Sequence, residues 1–349
     1  MSPRGVGLAF VSALLFGLAT PASKLLLERL GPLQLAGLLY LGAALGMAVP
    51  ALRDPRGFVG LDVRNGGRLA GAVILGGVAG PVLLLFGLEM SSAGSVSLLL
   101  NFELAGTALV GVFLFREHLA APAWVGIAGI AVAGLLVSRE GGWPGAVSAV
   151  LVVAACLCWA FDNHFTALID GTTPAHTTFV KGLVAGAVTL AAGLAMETWR
   201  AGPAVVTAAL AVGILSYGAS IVLYIVSAQE IGATRAQAVF AAAPFLGAGL
   251  SLVVLGEAFG LLQVAAVVVL IPSVALVLLG QHSHEHVHEA IDHVHSHRHD
   301  DGHHDHVHPG LPAWVRHSHW HHHEPLRHTH PHWPDLHHRH RHREGETTT

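Results

Sequence analysis

Charged residues are scarce in this chain, and lysine and cysteine are nearly absent. Only 11% of the 349 residues are Asp, Glu, Lys or Arg, whereas 53% are hydrophobic. So low a charge content excludes an ordinary soluble protein of this length and indicates an integral membrane protein. The two cysteines, Cys156 and Cys158, stand in one apolar run and imply no disulfide framework. We interpret them as small apolar residues.

Enzyme motifs are lacking as well. No nucleophile elbow, phosphate-binding Walker loop or dinucleotide fingerprint stands in a suitable context, so we expect no enzymatic activity and no required cofactor. Nucleic-acid binding is not expected either, because the C-terminal tail is acidic when its histidines are neutral.

Long apolar runs fill residues 1–280. Each is close to the roughly 20 residues that a helix needs to cross a bilayer, and the first is better explained as a membrane span than as a signal peptide, because further runs follow with little break. The sequence predicts an all-α membrane protein with ten spans. They lie near residues 5–27, 32–51, 67–88, 92–115, 120–138, 143–164, 174–196, 203–226, 233–256 and 258–280.

The arginines of the short loops predict the orientation of these spans. An even number of spans places both termini on one side, and loops rich in Arg tend to be cytoplasmic. With a cytoplasmic N-terminus, seven arginines are inside and three outside: Arg4, Arg53, Arg56, Arg64, Arg68, Arg116 and Arg235 against Arg29, Arg139 and Arg200. We therefore expect a multi-pass protein of the cytoplasmic (inner) membrane with both termini in the cytoplasm.

The two halves of the hydrophobic region look like copies of each other. When the chain is shifted by 140 residues, SAGSVSLLLNFELAGTALVGVFLFREHL (92–119) aligns with IGATRAQAVFAAAPFLGAGLSLVVLGEAF (231–259), which places Glu117 opposite Glu257. We expect a first repeat at 1–140, a second at 141–280 and a tail at 281–349. Five spans per repeat is an odd number, so the second copy enters the membrane inverted, an arrangement typical of secondary transporters.

Residues 5–280 resemble the EamA type of the drug/metabolite transporter superfamily. The resemblance is carried by the ten spans, the duplicated halves, FGLATPASK in span one, WAFDNHFTALI in span six, and the endings FREHL and LGEAF of spans four and nine. It implies a transporter, often an exporter, of small organic solutes such as amino acids, metabolites or drugs, often in exchange for protons or another solute. The chain departs from the family by Phe16, where Trp is frequent, and by its tail.

Glu103 is the foremost candidate for transport, because a carboxylate in the middle of a span is costly and is therefore a functional hypothesis by default. It stands in LLLNFELAG beside Asn101, and its counterpart in the second repeat is Ala243. A carboxylate there can alternate between protonated and charged forms, as proton coupling requires. The alternative is a Glu neutralised by Lys for packing alone.

Lys24 and Lys181 are the only lysines of the chain. Each could pair with Glu103 or Asp162, or bind an anionic group of a solute. Lys24 stands near the end of span one, where it could equally extend to the membrane interface.

Further polar residues stand near span ends. Asp162 and Asn163, followed by His164, could line the inner mouth or be merely solvated. Gln237 stands at the start of span nine, and Pro244 within that span could free a carbonyl for a solute or ion. Glu117 and Glu257, at the membrane edge, are predicted to cap or gate rather than to bind.

The tail contains 24 of the 27 histidines. No hydrophobic period continues there, so we expect a disordered segment, and histidines at His-x-His spacing predict binding of Zn, Ni, Co or Cu. The match of HEHVH to the zinc-protease motif is attributed to composition. The predicted ligands are His284, His286, His288, His293, His295, His297, His299, His303, His304, His306, His308, His328, His330, His332, His337, His338, His340 and His342.

Three functional hypotheses follow. The first is a secondary transporter of a small organic metabolite with a metal-binding cytoplasmic tail. The second is a Ni, Co or Zn efflux protein, and the third is a membrane-anchored metal buffer or sensor. The expected partners are the lipid bilayer, a small solute and transition-metal ions at the tail, and the sequence leaves a homodimer open.

Overall fold

A computed structural model describes residues 3–53, 63–115, 119, 121–140, 142–167, 169, 172–231, 236, 239–279, 283–288, 291–297, 317–323 and 326–331. The helices are α1 (Pro3–Gly17), α2 (Ala19–Leu26), α3 (Pro32–Arg53), α4 (Val63–Gly71), α5 (Gly80–Glu89), α6 (Ala93–Leu99), α7 (Phe102–Phe115), α8 (Ala121–Glu140), α9 (Gly142–Ala167), α10 (Pro174–Met196), α11 (Pro203–Val212), α12 (Ser220–Ile231), α13 (Ala243–Val254) and α14 (Leu261–Leu279).

The predicted all-α membrane architecture is confirmed. Within the described residues, nine helical segments are long and apolar enough to cross a membrane, and Ala243–Val254 is a shorter apolar helix in the predicted span nine. We number the segments in chain order as spans 1 to 10. The nine long ones are Pro3–Leu26, Pro32–Arg53, Val63–Glu89, Ala93–Leu114, Ala121–Arg139, Gly142–Thr166, Pro174–Met196, Pro203–Ser227 and Leu261–Leu278.

Interruptions of the helices recur at corresponding positions in the two halves. Spans 3 and 8 each contain a π-helical segment, at Ala72–Ala79 and at Gly213–Ala219. Span 4 is broken by a turn at Leu100 and Asn101, and a turn at Ala241 and Ala242 precedes α13 in span 9. Because π-helices and broken helices release backbone groups from the regular ladder, such positions are frequent at functional sites.

Spans 2 and 7 pack against each other through glycine. A β-carbon built on Gly182 would lie 2.7 Å from the carbonyl oxygen of Tyr40, and one built on Gly186 would lie 2.7 Å from the backbone nitrogen of Leu41. Since side chains at these positions would force the backbones apart, the glycines permit the close helix approach that stabilises helix pairs in membranes. This contact joins the first half of the chain to the second.

The tail contains short paired strands where the sequence predicted no regular structure. β1 (Ser283–His288) pairs antiparallel with β4 (Leu326–Pro331), and β2 (Ile291–His297) pairs antiparallel with β3 (His317–His323). The His-x-His alternation has the period of two that a strand requires, and interspersed Val, Ile and Thr favour extended backbone. The described tail residues form a unit separate from the membrane domain.

Candidate functional site

Glu103 lies at the break in span 4. It stands in the first turn of α7, directly after the turn at Leu100 and Asn101, and its backbone nitrogen donates to the Leu100 carbonyl at 3.0 Å. The N-terminus of a helix carries partial positive charge, which favours a carboxylate there. The break therefore provides a favourable place for a negative charge near the middle of the span.

Asn163 connects Glu103 to the second half of the molecule. Its Nδ2 donates to Glu103 Oε1 at 3.1 Å and to Thr107 Oγ1 at 3.3 Å. Glu103 and Thr107 belong to span 4, whereas Asn163 belongs to span 6. The Glu103 side chain is partly exposed. The contact between Glu103 and Asn163 is therefore not sealed off inside the protein.

Asp162 and Lys181 form an ion pair between spans 6 and 7, in which Lys181 Nζ donates to Asp162 Oδ2. Asp162 Oδ1 also accepts from Thr166 Oγ1 at 3.2 Å. Both charged groups are largely buried. Together with Glu103, the pair carries one net negative charge when all three groups are ionised.

A backbone carbonyl in the π-helical part of span 3 binds two aromatic side chains. The Gly76 oxygen accepts from Tyr40 Oη at 2.6 Å and from Trp159 Nε1 at 3.1 Å. The sequence analysis assigned no role to Tyr40, Gly76 or Trp159, although Trp159 opens the motif WAFDNHFTALI. No local sequence pattern predicts a π-helix. Tyr40 and Trp159 each carry a hydrogen-bond donor within an apolar span, however, and a buried donor of this kind usually requires an acceptor nearby.

Five aromatic rings form a continuous group, which we call the aromatic cluster: Phe16, Tyr40, Tyr217, Tyr224 and Phe240. The ring centroids are 5.2 to 6.1 Å apart from neighbour to neighbour. The cluster contains all three tyrosines of the chain, and its members come from both halves. The sequence analysis singled out only Phe16 among these rings, because contacts between distant rings depend on the fold.

Lys24 does not pair with Glu103 or Asp162, which was one of the alternatives that the sequence left open. Its Nζ donates to the carbonyl oxygens of Leu88, Glu89 and Ser91 at 2.7, 3.3 and 2.8 Å. Helix ends leave carbonyls without intrahelical partners, and a cation near a C-terminus satisfies them. Lys24 therefore holds the end of span 3, and Lys181 is the lysine that lies at the site.

Asn101 and Pro244 lie at the breaks of spans 4 and 9. Asn101 is buried, and its Nδ2 donates to the Leu98 carbonyl at 2.9 Å, so its side chain closes the turn at the break in span 4. Pro244 stands in the first turn of α13. Proline is tolerated at that position because no intrahelical partner awaits its missing N–H, so Pro244 starts a helix after the break and does not kink a continuous one.

Glu257 holds the start of span 4, as a capping group does. Its carboxylate accepts from the backbone nitrogens of Ala93 and Gly94, both at 2.8 Å. Glu197 does the same at the start of span 2, accepting from Leu33 and Gln34 at 3.0 Å each. No sequence motif indicated the role of Glu197. The other predicted gating or binding residues, Glu117 and Gln237, lie outside the described residues.

The described part of the chain contains no group of three or more His, Cys, Asp and Glu side chains placed to hold a metal ion. His164 Nδ1 lies 2.8 Å from the Ala160 carbonyl, within its own helix. Cys156 is buried, with its Sγ 3.9 Å from the Leu99 and Leu100 carbonyls. Of the predicted tail ligands, His299, His303, His304, His306, His308, His332, His337, His338, His340 and His342 lie outside the described residues.

A comparison with known protein families agrees with this arrangement of two inverted halves, with a helix break in span 4 and a contact between Glu103 and Asn163. The EamA-like transporter family matches residues 3–139 and again residues 146–279. The chain belongs to the EamA-like transporter family. Two successive matches also agree with the duplication inferred from the sequence, and they establish this multi-pass membrane protein as a transporter-family member.

Two individual similarities accompany the family match. An uncharacterized transporter of Methanothermobacter thermautotrophicus is 29% identical over 209 residues, which cover 58% of this chain and 61% of that relative. A solved crystal structure of a protein has a TM-score of 0.57 at 18% identity, covering 79% of this chain and 96% of the other. The structural similarity supports the fold alone.

Proposed function

We propose that this member of the EamA-like transporter family is a secondary transporter, in the export direction, of a small organic metabolite across the cytoplasmic membrane. Both termini face the cytoplasm in this proposal. The observation that carries it is the contact of Glu103 with Asn163, which places an accessible carboxylate between the two halves at a helix break. Binding sites of inverted-repeat transporters lie at such positions.

Glu103 is the proposed binding and coupling residue. A carboxylate that is partly removed from water can bind either a proton or a solute group, and it cannot bind both at once. Movement of one half against the other would open the site to each side in turn. Asn163 would then hold Glu103 in place on the second half, and the pair of Asp162 with Lys181 would keep two further charges neutral.

Export of free metal ions is less well supported as a function of the spans. Asp162 is engaged by Lys181 and Thr166, and His164 contacts its own helix backbone. Glu103 thus has no second carboxylate or imidazole free beside it in the described region, whereas transition metals in proteins usually require several such ligands.

Metal binding belongs to the tail in this proposal. The strand register sets His284 opposite His330 and His286 opposite His328 in one ladder, and it sets His293 opposite His321 in the other. The proposal of a metal-binding tail is supported by the His-x-His spacing of the sequence, because imidazole is a ligand that Zn, Ni, Co and Cu accept.

Purified protein in proteoliposomes tests the function. Vesicles loaded with a pH-sensitive dye and holding a proton gradient would be challenged with pools of small organic solutes, using the full chain, a chain ending at Gln281, Glu103→Gln and Glu28→Gln. We expect solute-dependent proton flux from all but Glu103→Gln; Glu28 is an exposed control. Elemental analysis of the vesicles runs in parallel. Uptake of Ni, Co, Zn or Cu that requires Glu103, without organic solute flux, would contradict the proposal.

A further inference from the structure

The two capping carboxylates lie at the same membrane face. Glu197 follows span 7 and contacts the start of span 2, and Glu257 follows span 9 and contacts the start of span 4. Because successive spans cross the membrane in opposite directions, the ends of odd-numbered spans and the starts of even-numbered spans share one face. Both carboxylates belong to the second half of the chain and both helix starts to the first. Each cap is therefore also a contact between the halves.

Two buried glutamines add to this connection, each from a similar sequence, GPLQ at residues 31–34 and GLLQ at residues 260–263. In both, the glutamine Oε1 accepts from the backbone nitrogen of the glycine, at 3.3 and 2.8 Å. The Nε2 of Gln34 donates to two carbonyls at the end of span 7, at 3.3 and 3.1 Å. The Nε2 of Gln263, in span 10, donates to Ser95 Oγ in span 4 at 2.7 Å. Both amides thus bind across the boundary between the halves.

The carboxylate contacts can be released without unfolding a helix. Backbone nitrogens at a helix start have no intrahelical partner, so water can take the place of the carboxylate. Glu197 and Glu257 are only partly buried, which lets water reach them. Glycine leaves room for each: a β-carbon on Gly31 would collide with the Glu197 carboxylate, and one on Gly94 would lie 3.2 Å from Glu257 Oε2. These contacts are therefore suited to form and separate repeatedly.

We propose that Glu197 and Glu257, together with Gln34 and Gln263, form the gate that closes this face of the transporter, which is the outer face in the proposed orientation. The carboxylates bind the two helix starts while the face is closed, and all these contacts separate together when it opens. This inference rests on the proposed transport function and assigns its conformational step. The alternative is two independent caps that stay bound throughout the cycle.

Amide hydrogen exchange of the purified full chain in nanodiscs, followed by mass spectrometry, separates these two possibilities. The amides of residues 93–94 report on Glu257, and those of residues 33–34 report on Glu197. Because the gate opens as one unit, we expect Glu257→Gln to speed exchange about fivefold at both helix starts. Faster exchange at residues 93–94 alone would show independent caps and would overturn the proposal.

Two control variants distinguish the gate from effects of charge and of any lost contact. Glu28→Gln removes an exposed carboxylate from the same face. Ser227→Ala removes the bond from Ser227 Oγ to the Gly5 carbonyl at 2.8 Å, which joins the halves at the opposite face. Neither variant should speed exchange at residues 33–34 or 93–94. Acceleration by either control equal to that by the gate variant would overturn the proposal.

Size-exclusion profiles establish that each variant is folded. If Glu257→Gln fails to fold, Glu197→Gln carries the same test in reverse, with exchange at residues 93–94 as the decisive reading. Unchanged exchange there in Glu197→Gln would overturn the gate.

Labelling of a buried cysteine gives a second readout. Ser97 is buried about one turn inside the start of span 4, and a β-carbon on Gly247 of span 9 would lie 2.9 Å from its Oγ. In a Cys156→Ala, Cys158→Ala background, Ser97→Cys should react about fivefold faster with a soluble maleimide when Glu257→Gln is added. Equal labelling rates would contradict an opening of this face.

Proteoliposome flux of the unmodified protein separates the gate from the transport function. Exchange confined to the substituted cap, with solute flux intact, overturns the gate and leaves the transport function standing. Faster exchange at both helix starts, with no flux of any solute class, contradicts the transport function instead.

Discussion

Asn163 donates a hydrogen bond to Glu103 across 3.1 Å, and the two residues come from spans in different halves of the chain. In the proposed transport cycle, this contact breaks or rotates when one half moves relative to the other. The carboxylate proposed to bind the solute is thus also attached to the boundary between the halves. The proposal therefore links solute binding to conformation at Glu103.

Removal of the Asn163 amide should weaken transport. Hydrogen bonds to charged groups contribute about 1.5–3 kcal/mol, so Asn163→Ala is expected to raise the solute concentration for half-maximal flux at least tenfold. Proteoliposome flux measures this change. Thr107→Val is the matched control, because it removes only the longer contact at 3.3 Å and leaves the Glu103 contact intact. Equal effects of both variants would argue against a special role of Asn163.

The pair of Asp162 and Lys181 should stabilise the fold only as a pair. Removing one member of a largely buried ion pair leaves the other charge unpaired and costs about 3 kcal/mol. We therefore expect Lys181→Met to lower the unfolding temperature in detergent and the double variant Lys181→Met, Asp162→Asn to recover most of the loss. Thermal unfolding followed by size exclusion measures both. If the unfolding temperature of the double variant is no higher than that of Lys181→Met, the two charges do not stabilise each other.

The shared acceptor on Gly76 makes a separate prediction about coupling. Tyr40→Phe should cost about 0.5–1.5 kcal/mol of stability, as neutral hydrogen bonds do. Tyr40 and Trp159 donate to the same oxygen, so each single variant leaves the Gly76 carbonyl one partner. The double variant Tyr40→Phe, Trp159→Phe removes both partners. Its loss of unfolding free energy should therefore exceed the sum of the two single losses. Strict additivity in a double-mutant cycle would indicate that the carbonyl is satisfied elsewhere.

The sequence predicted the membrane class, the two repeats and a carboxylate near the middle of span 4, because hydropathy, repeat spacing and the position of a charge within an apolar run can be read from the chain itself. The role of Glu103 stays a prediction. It also placed Lys181 and Asp162 among the candidate pairs. It could not choose between Lys24 and Lys181, since the choice depends on which span ends lie beside each lysine.

Other features depended on the three-dimensional arrangement. Asn101 lies in the turn at the break beside Glu103, and a single Asn in an apolar run does not predict a turn. The ring contacts between Tyr40 and Tyr217 join residues far apart in the chain, and the strands of the tail arise from pairing between distant His-rich segments. Periodicity within a window contains none of this information.

Glu257 and Glu197, which cap the starts of spans 4 and 2, should each contribute to the free energy of unfolding. Glu257→Gln and Glu197→Gln each weaken two hydrogen bonds to backbone nitrogens, and losses at helix N-termini are typically about 1 kcal/mol. Thermal unfolding should show similar decreases for both variants. Glu28→Gln, with an exposed side chain, should unfold like the unmodified chain, and a comparable loss in that variant would mean that the effect is one of net charge.

The tail should bind metal without being needed for solute flux. Isothermal titration with Ni or Zn is expected to show binding to the full chain and none to a chain ending at Gln281, because 24 of the 27 histidines are then removed. Solute-driven flux in metal-free vesicles should be the same for both. Loss of flux on truncation would assign the tail a part in transport.

Solute-driven proton flux in proteoliposomes tests the proposed role of Glu103 most directly, with equal amounts of unmodified protein, Glu103→Gln and Glu28→Gln. We expect flux with the unmodified protein and with Glu28→Gln, and a loss to the level of empty vesicles with Glu103→Gln. Flux in Glu103→Gln equal to that of the unmodified protein would contradict the central role of this carboxylate.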